Sequence, residues 1–308
     1  MSRLVQCVII PHFRAMLQFR VPASTTNLGH GFDCLGMALG AANTISVAPS
    51  ADDLITAPGA PDDGLGRMAS AIRDACIVRW QVRIPGFSVR VTGDVPLARG
   101  MGSSSTVVLG VAAACQRFAG RSLDKHELVE IAAAQEGHPD NVAASCLGGF
   151  TIAAAVGNTL RLHKISVPNH LVAVVAIPPY EVKTSDARRI LPQQFTRAEG
   201  VRSLQRTALI TALLSSGAID QLSGLFDDAW HEHYRASLNP GLIAARTAAQ
   251  TAGAIGTILS GSGSTVLSFS HRDHAHAVKQ ALHDSYHAVG INAATRILPF
   301  DNDGLTAV

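Results

Sequence analysis

The sequence predicts a two-domain protein of the α/β class, built in the α+β manner, and three observations lead there. Segments with strand character alternate with helical segments in both halves of the chain, which argues for two α/β sandwiches. The 308 residues exceed the roughly 100–200 typical of one domain. An apolar share of 47% with only 16% charged residues supplies ample core and excludes disorder, which needs high charge and little apolar surface. The expected division is 16–155 and 156–308, behind an N-terminal extension of residues 1–15.

Taken in order, Leu17–Val21 reads as the first strand, followed by a Gly- and Asn-containing loop through Asp33 and a strand at Asn43–Ala48. Residues 49–66 hold a cluster of Pro, Gly and Asp and read as a loop. A helix is expected over Arg67–Arg79. Phe87, Val89 and Val91 alternate with polar residues, the period of a half-buried strand. The run Gly100-Met101-Gly102-Ser103-Ser104-Ser105 feeds an apolar helix ending at Phe118, and a second helix opens at Leu123–His126 and ends near Gln135. After Gly149 the texture changes. Leu171–Ile177 is a strand, helices follow at Arg197–Ser215, Ala218–Arg235 and Gly241–Ala252, and strands at Ile255–Leu259 and Thr265–Phe269 flank a Ser-Gly turn. Helix Ala275–His287 and strand Ile291–Leu298 complete the pattern.

Composition also excludes function classes. A formal net charge of +2 gives no broad electrostatic case for nucleic-acid binding. The uncharged stretch from Asn141 to Leu160 is broken by Gly148, Gly149 and Gly157, so it reads as buried core and no membrane association is expected. Five widely spaced cysteines (Cys7, Cys34, Cys76, Cys115 and Cys146), none in a Cys-x-x-Cys pair, fit reduced thiols of a cytoplasmic protein. The first 32 residues contain no acid, yet Leu4–Ile10 is too short for a signal-peptide core. Because Met16 stands just before the first strand, residues 1–15 are expected to be dispensable or to reflect a misassigned start site. Small-molecule chemistry is the remaining class.

Three segments carry that chemistry. In Pro96-Leu97-Ala98-Arg99-Gly100-Met101-Gly102-Ser103-Ser104-Ser105-Thr106, glycines let backbone N–H groups close on an anion, and the helix N-terminus that follows favours negative charge. It is not a Walker A loop, since no Gly-Lys-Ser/Thr follows; a plain helix cap is the competing reading. Glu136-Gly137-His138-Pro139-Asp140-Asn141 puts four polar side chains before an uncharged stretch, either as a solvated turn or as groups held by a ligand. Ser260-Gly261-Ser262-Gly263-Ser264 is a tight turn whose backbone can approach a phosphate.

The first and third of these segments, together with Pro22-Ala23-Ser24-Thr25-Thr26-Asn27-Leu28-Gly29-His30-Gly31-Phe32-Asp33, resemble the three motifs of the GHMP kinases, the galactose, homoserine, mevalonate and phosphomevalonate kinases. The second segment, read on to Ala143 with Leu147-Gly148-Gly149, the run from Val182 to Pro192 and the run His231-Glu232-His233-Tyr234-Arg235 resemble the homoserine branch. The resemblance spans about residues 17–300. It implies an N-terminal domain like a ribosomal-protein domain, a C-terminal ferredoxin-like domain, and transfer of the γ-phosphoryl group of ATP to the hydroxyl of L-homoserine with Mg²⁺. By the same resemblance Pro96, Gly100, Met101, Gly102, Ser103, Ser104, Ser105, Thr106, Gly261 and Gly263 face the nucleotide, and Ser104 and Glu136 hold the metal. Asn27, Asp33, His138, Asp140, Thr184, Arg188 and Arg235 would surround the amino acid, the two arginines as a carboxylate clamp. Asp140 and Asn141 are the catalytic candidates, Asp140 either as a base or as an orienting group. Gly64-Leu65 stands where similar kinases often carry Asn-Leu beside the adenine. A homodimer is the family-level expectation. The rival readings are a kinase of another small amino-acid alcohol and a catalytically silent sensor of the same fold.

Overall fold

The computed structural model describes residues 15–308 apart from 51, 61, 62 and 229, so the expectation for residues 1–15 lies almost wholly outside the described residues. The N-terminal half contains β1 (Leu17–Asn27), β2 (Gly31–Pro49), β3 (Ile55–Thr56), α1 (Gly64–Trp80), β4 (Phe87–Gly93), α2 (Ser103–Phe118), α3 (Lys125–Glu136), α4 (Asp140–Leu147), β5 (Phe150–Val156) and β6 (Thr159–Ile165). Then come β7 (Leu171–Ile177), α5 (Thr184–Arg189), α6 (Arg197–Ser216), α7 (Glu232–Arg235), α8 (Leu242–Thr251), β8 (Gly256–Leu259), β9 (Val266–His271), α9 (Ala275–Ala288), β10 (Ala294–Pro299) and β11 (Thr306–Ala307).

Two sheets organise these elements, as the α+β expectation requires. The first runs β11-β1-β2-β4-β3, with β5 also on β2 and β6 on β5. The second runs β10-β7-β9-β8, the fourth, first, third and second of its strands in chain order, which is the ferredoxin-like arrangement. Strand pairing in the first sheet passes the expected division at residue 155. The β5–β6 hairpin extends it to Ile165, and the last strand returns to pair Phe19 with Ala307. Leu305 correspondingly sits in the N-terminal core.

β7 shows why the C-terminal half is stable. Its apolar run is buried on both faces: Leu171, Ala173 and Val175 pack toward α6, while Val172, Val174 and Ala176 pack toward α8 and α9. Leu28, Leu35 and Met37 of the first hairpin join Ile210 and Phe226 in one cluster, so the core is continuous across the two halves.

Two local expectations give way and one helix goes unseen in the sequence, each for a physical reason. The loop expected after Val21 is strand as far as Asn27, because Pro22 lies at a register shift where its missing N–H costs nothing, and Ser24, Thr25 and Thr26 hydrogen-bond to neighbours instead of to water. Helix α4 carries no visible helical period because nearly every side is buried, Val142 through Leu147 included. The helix expected over Ala218–Arg235 is broken: a 3-10 turn spans Ile219–Leu222, and α7 begins only at Glu232. Asp228 causes that restart, since its carboxylate accepts the backbone N–H groups of Trp230, His231 and Glu232 at 3.0, 2.6 and 2.7 Å.

Candidate active site

The sequence-predicted site residues converge on a cleft of about 810 Å³ between the first sheet with its helices and the α5–α7 region. One end is apolar, walled by Pro58, Leu65, Met68, Val91 and Leu97; the other gathers the charged side chains. The Gly64-Leu65 pair thus falls on the apolar wall.

Between the two ends lies the glycine loop. Gly100 and Gly102 have φ of +71° and +67°, values that side chains disfavour, and Gly102 is the N-cap of α2 without a capping side chain. The first N–H groups of α2, carried by the cleft-lining Ser103, Ser104 and Ser105, have the geometry that can hold an anion. Close packing fixes the loop from behind. A Cβ at Gly100 would lie 2.1 Å from the Ser260 carbonyl oxygen, and one at Gly102 would lie 2.1 Å from Ser24 Oγ. Ser260 Oγ donates to the Gly100 carbonyl at 2.7 Å, and the Ser24 N–H donates to the Met101 carbonyl at 3.2 Å. The three motifs therefore interlock. Gly100→Ala is expected to lower stability by about 1–3 kcal/mol and to raise KM for the nucleotide at least tenfold, as read by thermal melts and initial rates.

Not every expected nucleotide-side residue reaches the cleft. Met101, Ser103, Ser104, Ser105 and Gly261 line it; Pro96, Thr106 and Gly263 do not. The Thr106 hydroxyl is buried, donating to the Ser103 carbonyl and accepting from Asn43 Nδ2, and Gly263 faces Asn239. Thr106 and Gly263 support the loop from outside.

At the mouth, Ser104 Oγ donates to the Glu136 carboxylate. Glu136 ends α3, which Asp124 caps at its start through the N–H groups of His126 and Glu127. Gly137, at φ +82°, then turns the chain so that His138 and Asp140 enter the cleft. A hydroxyl and a carboxylate are hard oxygen donors. No group of three or more His, Cys, Asp or Glu gathers for a metal among the described residues. A cation here would draw the rest of its shell from phosphate and water, the usual mode of Mg²⁺, so the residues fit that ion.

Asp140 is almost fully buried, and its Oδ1 is the acceptor for the Asn141 N–H at 2.7 Å and lies 2.8 Å from His138 Nδ1. That hydrogen bond raises the His138 pKa despite partial burial. Asn141 is fixed in turn by Ser24 Oγ, which donates to its Oδ1 at 2.8 Å.

The far wall belongs to the arginines. Arg188 closes its fork on Asp33, at 3.0 and 2.6 Å, so the expected pair of open carboxylate forks is only half open. Asp33 is held at φ +55° with its N–H on Asn27 Oδ1, and Asn27 itself has φ +70°. Strained backbone thus clusters at the site. Arg235 is 2% exposed; it donates from Nε to the Ala187 carbonyl and from Nη1 to the Gly261 carbonyl, at 3.1 and 3.0 Å. Its Nη2 makes no hydrogen bond among the described residues. Burial, and then the neighbouring Arg188 charge, pull the Arg235 pKa down to about 10. Asn27 Nδ2 donates to the same Gly261 carbonyl at 3.2 Å.

Sequence reasoning missed two residues here. Phe32 is the platform under both cations, with guanidinium carbons 5.5 and 5.3 Å from its ring. An aromatic between Gly31 and Asp33 reads as core, and only its acidic neighbour signalled otherwise. Lys183 also lines the cleft beside the expected Thr184 at the start of α5. Arg188, Arg235 and Lys183 share this end of the cleft with Asp33 and Asp140, so it offers cations to a carboxylate and carboxylates to an ammonium, which suits a small zwitterion.

Comparison with known proteins agrees with this geometry. Residues 63–149 match the GHMP kinases N terminal domain family, and residues 209–288 match the GHMP kinases C terminal family. A homoserine kinase of Microchaete diplosiphon is 35% identical over 294 residues, covering 94% of this chain and 96% of the relative. One of Desulfitobacterium hafniense is 34% identical over 297 residues, covering 95% and 100%. The crystal structure of homoserine kinase from Cytophaga hutchinsonii aligns with a TM-score of 0.87 over 98% of this chain and 100% of that one, at 24% identity, a likeness of fold.

Proposed function

Because the chain belongs to the homoserine kinases of the GHMP family, we propose that it transfers the γ-phosphoryl group of ATP to the side-chain hydroxyl of L-homoserine, releasing ADP and O-phospho-L-homoserine. One observation supports the pairing of substrates best: the Ser260–Gly261 turn binds the glycine loop through Ser260 and the amino-acid end through the Gly261 carbonyl. Nucleotide and acceptor sites thus share one rigid joint.

Phosphoryl transfer asks the protein for positioning and charge neutralisation more than for covalent chemistry. Gly100–Ser105 and the N-terminus of α2 would cradle the phosphates, and the apolar hollow around Leu65 and Met68 would take the adenine. Ser104 and Glu136 would hold Mg²⁺, which neutralises charge on the β- and γ-phosphate oxygens. Arg235, with Arg188 beside it, would bind the substrate carboxylate, while Asn27 and Asp33 would take the ammonium. Asp140, steadied by His138 and Asn141, would accept a hydrogen bond from the reacting hydroxyl and aim its oxygen in line. We read Asp140 as an orienting group. No helix among the described residues is long and apolar enough to cross a membrane; a cytoplasmic homodimer is the setting this reading implies.

Product identity tests the reading. Phosphorus NMR of a reaction with ATP and L-homoserine is expected to show a stable phosphate monoester on the side-chain oxygen. An acyl phosphate, or ADP without a phosphorylated amino acid, would refute it. Glu136→Gln is expected to raise the Mg²⁺ concentration for half-maximal rate by about tenfold or more, with KM for L-homoserine unchanged. A Mg²⁺ titration that overlays the wild type would remove Glu136 from the metal site.

A further inference from the structure

We infer that His231 is a positioning residue that holds the Arg235 fork for the substrate carboxylate as a neutral hydrogen-bond acceptor. The inference rests on the substrate reading above and adds a residue that does not line the cleft.

His231 is completely buried and sits one turn before Arg235, immediately ahead of α7. Its Nδ1 lies 3.3 Å from Arg235 Nη1, and its Nε2 lies 3.1 Å from the Gly29 carbonyl oxygen. A guanidinium only donates and a carbonyl only accepts, so Nδ1 must be bare and the proton must sit on Nε2. The tautomer follows from the two partners. Burial keeps the ring in this neutral form, with its pKa pulled down to about 4, outweighing the nearby Asp228 carboxylate 3.7 Å away. That carboxylate is already engaged by three backbone N–H groups.

The consequence is mechanical. His231 joins Arg235 to the turn between β1 and β2, the same hairpin that carries Asn27, Phe32 and Asp33. Its ring also packs 5.3 Å from Phe32, the platform under the cations. With Nε on Ala187 and Nη1 shared between Gly261 and His231, the guanidinium plane is fixed and Nη2 is left for a ligand. Core packing alone would ask for an apolar ring; the two-sided hydrogen bonding asks for histidine.

Two substitutions separate these roles, because asparagine places an acceptor near Nδ1 whereas glutamine places a donor near Nε2. His231→Asn is expected to keep KM for L-homoserine within about twofold of wild type, and His231→Gln to raise it about tenfold, with KM for ATP unchanged in both. Equal increases in the two variants, or no increase in His231→Gln, would overturn the inference. Nitrogen NMR of the ligand-free wild-type protein at neutral pH supplies a readout that needs no variant to fold: the Nε2–H tautomer is expected, and an Nδ1–H tautomer or an imidazolium would overturn the inference as well. If the wild type leaves L-homoserine unphosphorylated, the substrate reading fails by itself, and the tautomer still decides the state of His231.

Discussion

Arg235→Met is expected to lower kcat/KM for L-homoserine by about a thousandfold, close to 4 kcal/mol, with KM for ATP within a few-fold of wild type. The size follows from burial. At 2% exposure the guanidinium works where water does not compete, and methionine of similar volume fills the space without offering a donor. Removing it also leaves the Ala187 and Gly261 carbonyls short of a partner, so the melting temperature should fall with a loss of about 1–3 kcal/mol. Arg235→Lys separates charge from geometry. It keeps the cation but loses the planar fork, and about tenfold or more of kcat/KM should still be lost. Full activity in Arg235→Lys would mean that a point charge suffices and that the fixed fork has no role.

Asp140→Asn is expected to reduce kcat about a hundredfold and to raise KM for L-homoserine about tenfold, because it disturbs the aim of the hydroxyl. The environment explains why both constants move. Both partners, the Asn141 N–H and His138, use Oδ1, so an amide keeps them with its oxygen there and places its NH₂ at the Oδ2 position, where the reacting hydroxyl would otherwise find an acceptor. A donor in place of that acceptor turns the hydroxyl away, which weakens binding as well as aim. A general base behaves differently: its loss lowers kcat by up to about 10⁴ while substrate binding stays intact. Rates and KM for both substrates, measured on the same preparation, separate these outcomes. A ten-thousandfold fall in kcat at unchanged KM would make Asp140 the base.

Much of this site was legible in the sequence because its chemistry is local. The glycine loop and its helix are contiguous, and the observed α2 covers Ser103–Phe118 as the apolar run predicted. Glu136, His138, Asp140 and Asn141 stand within six residues on a turn that Gly137 makes. What was not legible depends on tertiary contact. That Asp33 occupies the Arg188 fork involves partners 155 residues apart, and nothing in either segment announces the pair. Thr106 and Gly263 look like ligand residues by position, yet Asn43 and Asn239 claim them. His231 read as an unassigned helix histidine because the break at Asp228, which sets its orientation, comes from a side chain capturing backbone N–H groups. The end of the first sheet was hidden for a similar reason: β11 is two residues long and gains its strand character only by pairing with β1.

The central claim is that one cleft joins an ATP-phosphate loop to a site for a small amino-acid alcohol. The most direct test compares kcat/KM for L-homoserine, L-threonine, mevalonate and galactose with Mg-ATP, since that ratio measures discrimination in the transition state. A preference for L-homoserine of about tenfold or more over each alternative is the result the arginine–aspartate wall predicts. Equal or faster turnover of mevalonate or galactose, which lack the amino-acid groups, would contradict it.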